Sequence, residues 1–261
     1  QIKVDYIEIQ LKIQLFSLTS YISNAQSHIW LVATELQSTE MLRSDFINNF
    51  SHEFKTPIVS IAGFAKLLKH EQLTPQQTEY VKIIEEESLR LSRMATNVLN
   101  LTKVENQTIL TDVSTFNLSE QLRDSVLLLA EKWEQKGLEF VVDFAEYNIE
   151  ANEELLKQVW INLLDNAVKF SLEGGAVELH IEERTQTLRV SVTNFGGEIA
   201  PEHQRRIFQK FYQADESHAS EGNGIGLAIV KRVTDLHGGE VSVQCGSGKT
   251  TFIVELPKVQ K

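Results

Sequence analysis

The sequence predicts a multidomain chain, all-α in its N-terminal part and α+β beyond, on three observations. Apolar residues from Leu11 to Leu36 fall on a heptad. Two long helical patterns between about Ser44 and Glu105 are separated by Thr74-Pro75, a pair that suits a helix start. After Asn106 short alternating strands interleave with helices. The expected boundaries are a coiled coil at 1–43, a helical hairpin at 44–108 and an α+β domain at 109–261.

In the heptad, Leu15, Ile22, Ile29 and Leu36 recur seven apart, with Leu11, Leu18, Ala25 and Val32 as the second seam. β-Branched residues on one seam and leucine on the other favour a parallel two-stranded coiled coil over a helix packed within one chain. The helical pattern runs on through Phe46, Phe50, Phe54, Ile58, Ile61, Ala65 and Leu68, with Pro57 expected to kink it by removing a backbone donor. It stops at Glu71-Gln72-Leu73. The next helix carries Ile84, Leu91 and Val98 at seven-residue spacing, and so do Met94 and Leu101. The two helices therefore predict an antiparallel hairpin that dimerises into a four-helix bundle. Beyond it the pattern predicts a strand at 111–116, a helix at 118–133 and a strand at 138–144. A helix at 152–171, strands at 176–183 and 188–194, a helix at 224–236 and closing strands at 240–245 and 250–256 follow. Hairpin-linked strands with separate helices imply helices on one face of a mixed sheet.

Composition narrows the function. The 36 acids against 25 bases give a net charge of −11, which argues against nucleic-acid or anionic-membrane binding. The single cysteine, Cys245, excludes an internal disulfide, and without Cys/His pairs at ligand spacing no zinc site is expected; a reducing compartment follows. No window reaches the roughly 18 apolar residues of a membrane span. A cytoplasmic chain is expected, with membrane attachment only through a part preceding Gln1.

Three segments could carry chemistry. In Phe50-Ser51-His52-Glu53-Phe54-Lys55-Thr56-Pro57, His52 lies roughly 200° around the helix from Phe50 and Phe54, hence on the solvent side when those rings face the core. Glu53 could hold one ring nitrogen protonated or accept its proton, leaving the other nitrogen to attack. On these residues alone an ordinary surface histidine with polar neighbours is the favoured reading. On the 152–171 helix, Asn162, Asn166 and Lys169 share a sector of roughly 60° beside the apolar face of Leu156, Trp160, Leu163 and Ala167. Mid-helix asparagines cost stability unless their amides are used, either in an inter-helix amide network or to hold hydrated magnesium, with Lys169 facing phosphate. Glycines at Gly196-Gly197, Gly222 to Gly226 and Gly246 to Gly248 suit turns, and the middle set opens a helix whose amides could meet phosphate.

In this order, the segments resemble the core of the sensor histidine kinases of bacterial two-component systems. Phe50 to Pro57 resembles the phosphoacceptor box, Asn162 to Phe170 the asparagine box, Phe208-Gln209-Lys210-Phe211 the phenylalanine box, and Gly222 to Gly226 the glycine box of the lid. The resemblance covers about Arg43 to Pro257. It implies a homodimeric hairpin followed by an ATP-binding sandwich of the Bergerat fold. It further implies ATP and Mg2+ as cofactors, and a response regulator receiver domain as partner. His52 would attack the γ-phosphate with Glu53 as base, and Thr56 would orient water in dephosphorylation of the regulator. Asn166 would ligate magnesium, Asn162 and Lys169 contact phosphates, and Phe170 pack near the nucleotide. Gly222, Gly224 and Gly226 would let the lid close, and Asn194, Gly196, Gly197, Leu227 and Thr250 would complete the nucleotide site.

Four departures stand out. Asn194 replaces the family's usual adenine-binding aspartate; its carbonyl still accepts a hydrogen bond, but it is uncharged and can flip, so weaker or less selective adenine binding is expected. Glu198 stands where a glycine often lies, Lys249 interrupts the usual glycine order before Thr250, and Gln213 occupies a frequent arginine position. The competing functions are a mainly phosphatase protein of the same fold, a non-catalytic dimeric signalling scaffold, and an ATPase of the gyrase type. The remaining histidines, His28, His70, His180, His203, His218 and His237, carry no expected role beyond structure. His237, followed by Gly238-Gly239, reads as a helix terminus where an imidazolium would suit the exposed carbonyls.

Overall fold

The computed structural model describes residues 55–214 and 224–260. The heptad segment, His52, Glu53 and Gly222 lie outside these residues. Among the described residues, no helix is long and apolar enough to cross a membrane.

Helix α1 is described over 55–68, and α2 spans Pro75–Asn106. Thr74 starts α2 with a full capping box: its hydroxyl accepts from the Gln77 amide while Gln77 accepts from the Thr74 amide, satisfying two of the donors a helix start leaves open. Ala62, Ala65 and Val81 are buried, and Lys69 pairs with Glu85 across the turn. Phe64, Leu67, Tyr80, Ile83, Ile84, Leu91 and Met94 stay exposed. So many apolar side chains along one hairpin are out of place on a solvated monomer surface.

The α+β domain follows as β1 (Val113–Asn117), α3 (Leu118–Leu127), α4 (Ala130–Gln135), β2 (Glu139–Asp143), β3 (Asn148–Asn152), α5 (Glu153–Phe170), β4 (Ala176–Glu183), β5 (Thr187–Phe195), the short α6 (Pro201–Gln204), α7 (Gly226–Leu236), β6 (Glu240–Gly246) and β7 (Lys249–Pro257). The main sheet has the order β2-β4-β5-β7-β6, with β2 parallel to β4 and the other pairs antiparallel. It is the mixed sheet expected. Val177, Leu179, Ile181, Val190, Val192 and Val254 alternate inward to meet α5 and α7, while Glu178, His180 and Glu182 point the other way. Trp160 is fully buried, and its indole N–H donates to Gln121 Oε1 at 2.8 Å.

Two elements differ from expectation. The 118–133 helix is broken at Leu128-Leu129, where the chain turns so that Leu129 is buried while Leu127 and Leu128 are exposed. The strand β3 was not expected; it exists because β1 pairs with it in a separate two-stranded sheet, Phe116 opposite Ile149.

His237 corrects a further expectation. It does end α7, and Gly238 follows with φ +65°, but its ring is buried and neutral. Nδ1–H donates to Val233 O at 2.8 Å and Nε2 accepts from the Asn152 amide at 3.1 Å, so the acceptor nitrogen has no room for a second proton. Burial holds its pKa below the ordinary 6.5. The unfolded chain therefore binds more protons just below pH 6.5, and the stability that neutral His237 contributes is whole above that pH and lost as pH falls below it. An NMR titration of the His237 ring is expected to show a midpoint under 6.5; one at or above it contradicts this account.

Arg232 of α7 closes the last turn of α2. Its guanidinium donates to Val104 O (3.3 Å), Glu105 O (3.4 Å) and Gln107 O (2.7 Å), and Lys210 pairs with Glu105 beside it. These carbonyls are the acceptors a helix end leaves unsatisfied, and a cation is favourable there. Arg232→Ala is expected to speed amide hydrogen exchange in the last turn of α2 by an amount equivalent to about 1.5–3 kcal/mol. Unchanged exchange would mean that water replaces the cap at no cost.

Candidate functional site

The site is built on α5. Asn152 caps its start, Oδ1 accepting from the Leu155 amide at 2.9 Å, and Glu153 and Glu154 lie in its first turn, where negative charge suits the helix dipole. Its buried stripe of Leu156, Trp160, Leu163, Leu164 and Ala167 fixes the rotation about its axis. Asn162, Asn166 and Lys169, four and three apart, then share one partly exposed edge. At the far end Lys136 donates to Val168 O (3.0 Å) and Lys169 O (2.7 Å), and Lys132 of α4 pairs with Asp165.

The side chains on that edge are differently engaged. Asn162 Nδ2 donates to Gln158 O at 2.7 Å, so its carbonyl oxygen faces away, and a Cβ at Gly226 would lie 2.6 Å from it. Helix α7 thus begins directly against Asn162. Among the described residues no side chain caps the first turn of α7, and the amides of Gly226 and Leu227 are placed as donors for an anion. No hydrogen bond to another described residue holds the Asn166 amide. Its carbonyl is a hard neutral oxygen of the kind magnesium takes, so the residue fits that role. The Lys169 ammonium lies 4.6 Å from the centre of the Phe170 ring, and that ring is exposed.

Gly224 packs against the segment that ends at Phe211-Tyr212. It has φ +65°, its carbonyl accepts from the Phe211 amide at 2.8 Å, and a Cβ there would fall within 2.7–2.9 Å of Phe211 and Tyr212 backbone atoms. Only glycine fits this position. Phe208 of the same segment packs edge-to-face on Phe252 of β7, ring centres 6.5 Å apart.

A second wall comes from the end of β5. Asn194 is buried between Val177 of β4 and Thr250 of β7, and among the described residues its Nδ2 has no hydrogen-bond partner. Thr250 Oγ1 donates to Gly197 O at 2.8 Å. Gly196 sits so close to α5 that a Cβ would lie 2.2 Å from Phe170 O. Glu198 finds its use here: its carboxylate accepts from the Gly248 amide at 2.7 Å and pins the β6–β7 turn.

The structure thus brings Asn162, Asn166, Lys169 and Phe170 of α5 together with Gly224, Gly226 and Leu227, and joins them through Gly196 to Asn194, Gly197 and Thr250. Thr56 is exposed on α1 in the hairpin. Lys136, Lys132 and Arg232 escaped the sequence reading. Lys136 precedes Gly137 (φ +63°) and reads only as a helix stop, and its target carbonyls lie 32 and 33 residues away.

Comparison with known proteins shows the family. Residues 151–260 match the family described as histidine kinase-, DNA gyrase B-, and HSP90-like ATPase, and residues 42–107 match the His Kinase A (phospho-acceptor) domain. The sensor protein GacS of Pseudomonas syringae pv. syringae is 34% identical over 244 residues, which cover 88% of this chain and 27% of GacS. The chain thus spans about a quarter of the length of that relative. Full-length ShkA in complex with AMPPNP superposes with a TM-score of 0.68 at 31% identity, over 83% of this chain and 46% of ShkA. The histidine kinase ThkA matches as its catalytic domain alone (30% identity, TM-score 0.52, 58% of this chain and 100% of that one). It also matches in complex with the response regulator protein TrrA (29% identity, TM-score 0.60, 82% and 61%).

Proposed function

Since the chain belongs to the sensor histidine kinases of two-component systems, we propose that it transfers the γ-phosphoryl group of ATP to His52, and from there to an aspartate of a response regulator. The observation that carries the reading is the asparagine edge of α5 set directly against the uncapped start of α7, with Asn162 touching the position of Gly226. Carbonyl oxygens and backbone amides there offer what a triphosphate needs, hard ligands for its metal and donors for its oxygens.

In this reading residues 1–43 form the signalling coiled coil, 44–108 the dimerisation and phosphoacceptor hairpin, and 109–261 the catalytic domain. The apolar side chains exposed on α1 and α2 are the surface on which two copies would pair. Asn162, Lys169 and the amides of Gly226 and Leu227 orient the phosphates, Gly222 and Gly224 let the lid close over them, and Phe170 lies against the nucleotide. The Asn166 carbonyl would hold magnesium, which when bound would neutralise charge on the phosphate oxygens. One nitrogen of the His52 imidazole forms the N–P bond as the bond to ADP breaks, and Glu53 takes the proton from the other nitrogen. Phosphoryl transfer asks the protein mainly for this positioning and charge compensation. The resemblance of ThkA in its regulator complex supports the second transfer, and exposed Thr56, four residues after His52 in the sequence, is suited to orienting water for dephosphorylation of the regulator.

The experiment is incubation with γ-labelled ATP with and without magnesium, followed by addition of a receiver domain. Expected is protein-bound label that is acid-labile and base-stable, needs magnesium and passes to the receiver. A folded dimer that takes up no label would overturn the kinase reading.

A further inference from the structure

Asn194 poses a question the rest of the site leaves unanswered. It is 3% exposed, and among the described residues its Nδ2 is a buried donor without an acceptor, which is unfavourable if nothing ever satisfies it. Such orphans are rare in folded chains and call for a cause. Among the described residues its neighbours across the sheet supply no acceptor: neither Val177 of β4 nor Thr250 of β7, whose hydroxyl is turned to Gly197 O, receives this hydrogen. Two residues further on, Gly196 is pressed against the end of α5, so the side chain belongs to the wall that joins β5 to the asparagine helix.

A primary amide differs from a carboxylate in one respect that matters for a nucleobase. A carboxylate only accepts, so it pairs with the amino group of adenine and repels the O6 of a 6-oxopurine. An amide presents an acceptor and a donor side by side. The purine edges at positions 6 and 1 are complementary to it in both senses: adenine offers a donor at N6 and an acceptor at N1, guanine and hypoxanthine an acceptor at O6 and a donor at N1. A half-turn of the amide matches either.

Resting on the nucleotide-binding reading above, we propose that Asn194 opens the base site to 6-oxopurine nucleotides, so that a 6-oxopurine triphosphate, ITP or GTP, is accepted alongside ATP. Nδ2 donates to O6 and Oδ1 accepts from N1–H. In the adenine complex the amide is reversed, with Oδ1 accepting from N6–H and Nδ2 donating to N1. The orphan donor is satisfied in both.

The test is calorimetric titration of the whole chain and of Asn194→Asp with ATP, GTP and ITP in magnesium, a readout independent of phosphoryl transfer. The chain is expected to bind a 6-oxopurine triphosphate within about tenfold of ATP, and Asn194→Asp to bind ATP at least as well while losing about 100-fold for GTP and ITP, because a buried carboxylate then faces O6. Binding of ITP without GTP supports the proposal and locates a steric limit at the purine 2-amino group. Binding of ATP alone by the parent, or an unchanged ATP to ITP ratio in Asn194→Asp, overturns this proposal and leaves the kinase reading standing. Absence of binding by all three overturns both.

Discussion

His52→Gln is expected to abolish phosphoryl labelling of the chain altogether, with no loss of fold and no loss of ATP binding. Glutamine keeps polarity and approximate size but has no nitrogen lone pair free to form the N–P bond, so no weakened version of the reaction remains. Asn166→Ala provides the internal contrast. Its amide is held by no other described residue, and alanine is the better helix former, so the helix should be unchanged or more stable by roughly 0.5 kcal/mol. Labelling should nevertheless fall by about 100-fold or more, the scale of losing one electrostatic contact to a transferring phosphoryl group. A residue that costs stability where it stands and whose removal costs only activity is one kept for ligand. The pair is checked by labelling time courses beside urea unfolding curves. Label persisting in His52→Gln would mean that another residue is the acceptor, and loss of stability in Asn166→Ala would mean that the amide is structural.

The other large effect is on the fold. In Gly196→Ala the new methyl would lie 2.2 Å from Phe170 O, 2.9 Å from Leu172 N and 3.0 Å from Ser171 C, all of them backbone atoms. Nothing there can rotate away. Either β5 ends earlier or the end of α5 retreats, and the second course breaks the Leu172 amide bond to Phe195 O (2.9 Å) and the grip of Lys136 on the last α5 carbonyls. A loss of roughly 3 kcal/mol or more is expected, at the upper end for a single methyl, together with weakened nucleotide binding. Gly197→Ala, where a Cβ meets nothing within 4 Å, is the control. Equal melting temperatures for the two variants would contradict the packing argument.

Much of this was legible in the sequence where a local rule and the tertiary outcome coincide. Helix α5, with its asparagine cap, its buried stripe and Asn162, Asn166 and Lys169 on one edge, differs from the sequence reading by one residue at each end. The Thr74-Pro75 start of α2 is equally local. The failures are non-local. Asn148–Asn152 has little strand character of its own and becomes β3 because β1 lies beside it. The apolar run at 126–129 hides a break, since Leu127 and Leu128 face outward against the pattern. In the site, the residues proposed to touch ligand carry a motif, whereas those that hold the motif in place do not: Lys136 acts across 32 residues and Arg232 across 128. His237 misled because a histidine at a helix end is favourable as a cation only when water reaches it, and this one is buried.

The two ends of α7 have different neighbours, and this has a thermodynamic consequence. Its first residue abuts Asn162, while Arg232, within two turns, grips the last carbonyls of α2. Any twist of α2 that strains the grip must be felt at the start of α7, and any ligand that fixes the start of α7 must resist that twist. Linkage makes the two effects equal in free energy. In the proposed kinase the helix would work as a balance beam, with a twist of the hairpin weighed against nucleotide held at the start of α7.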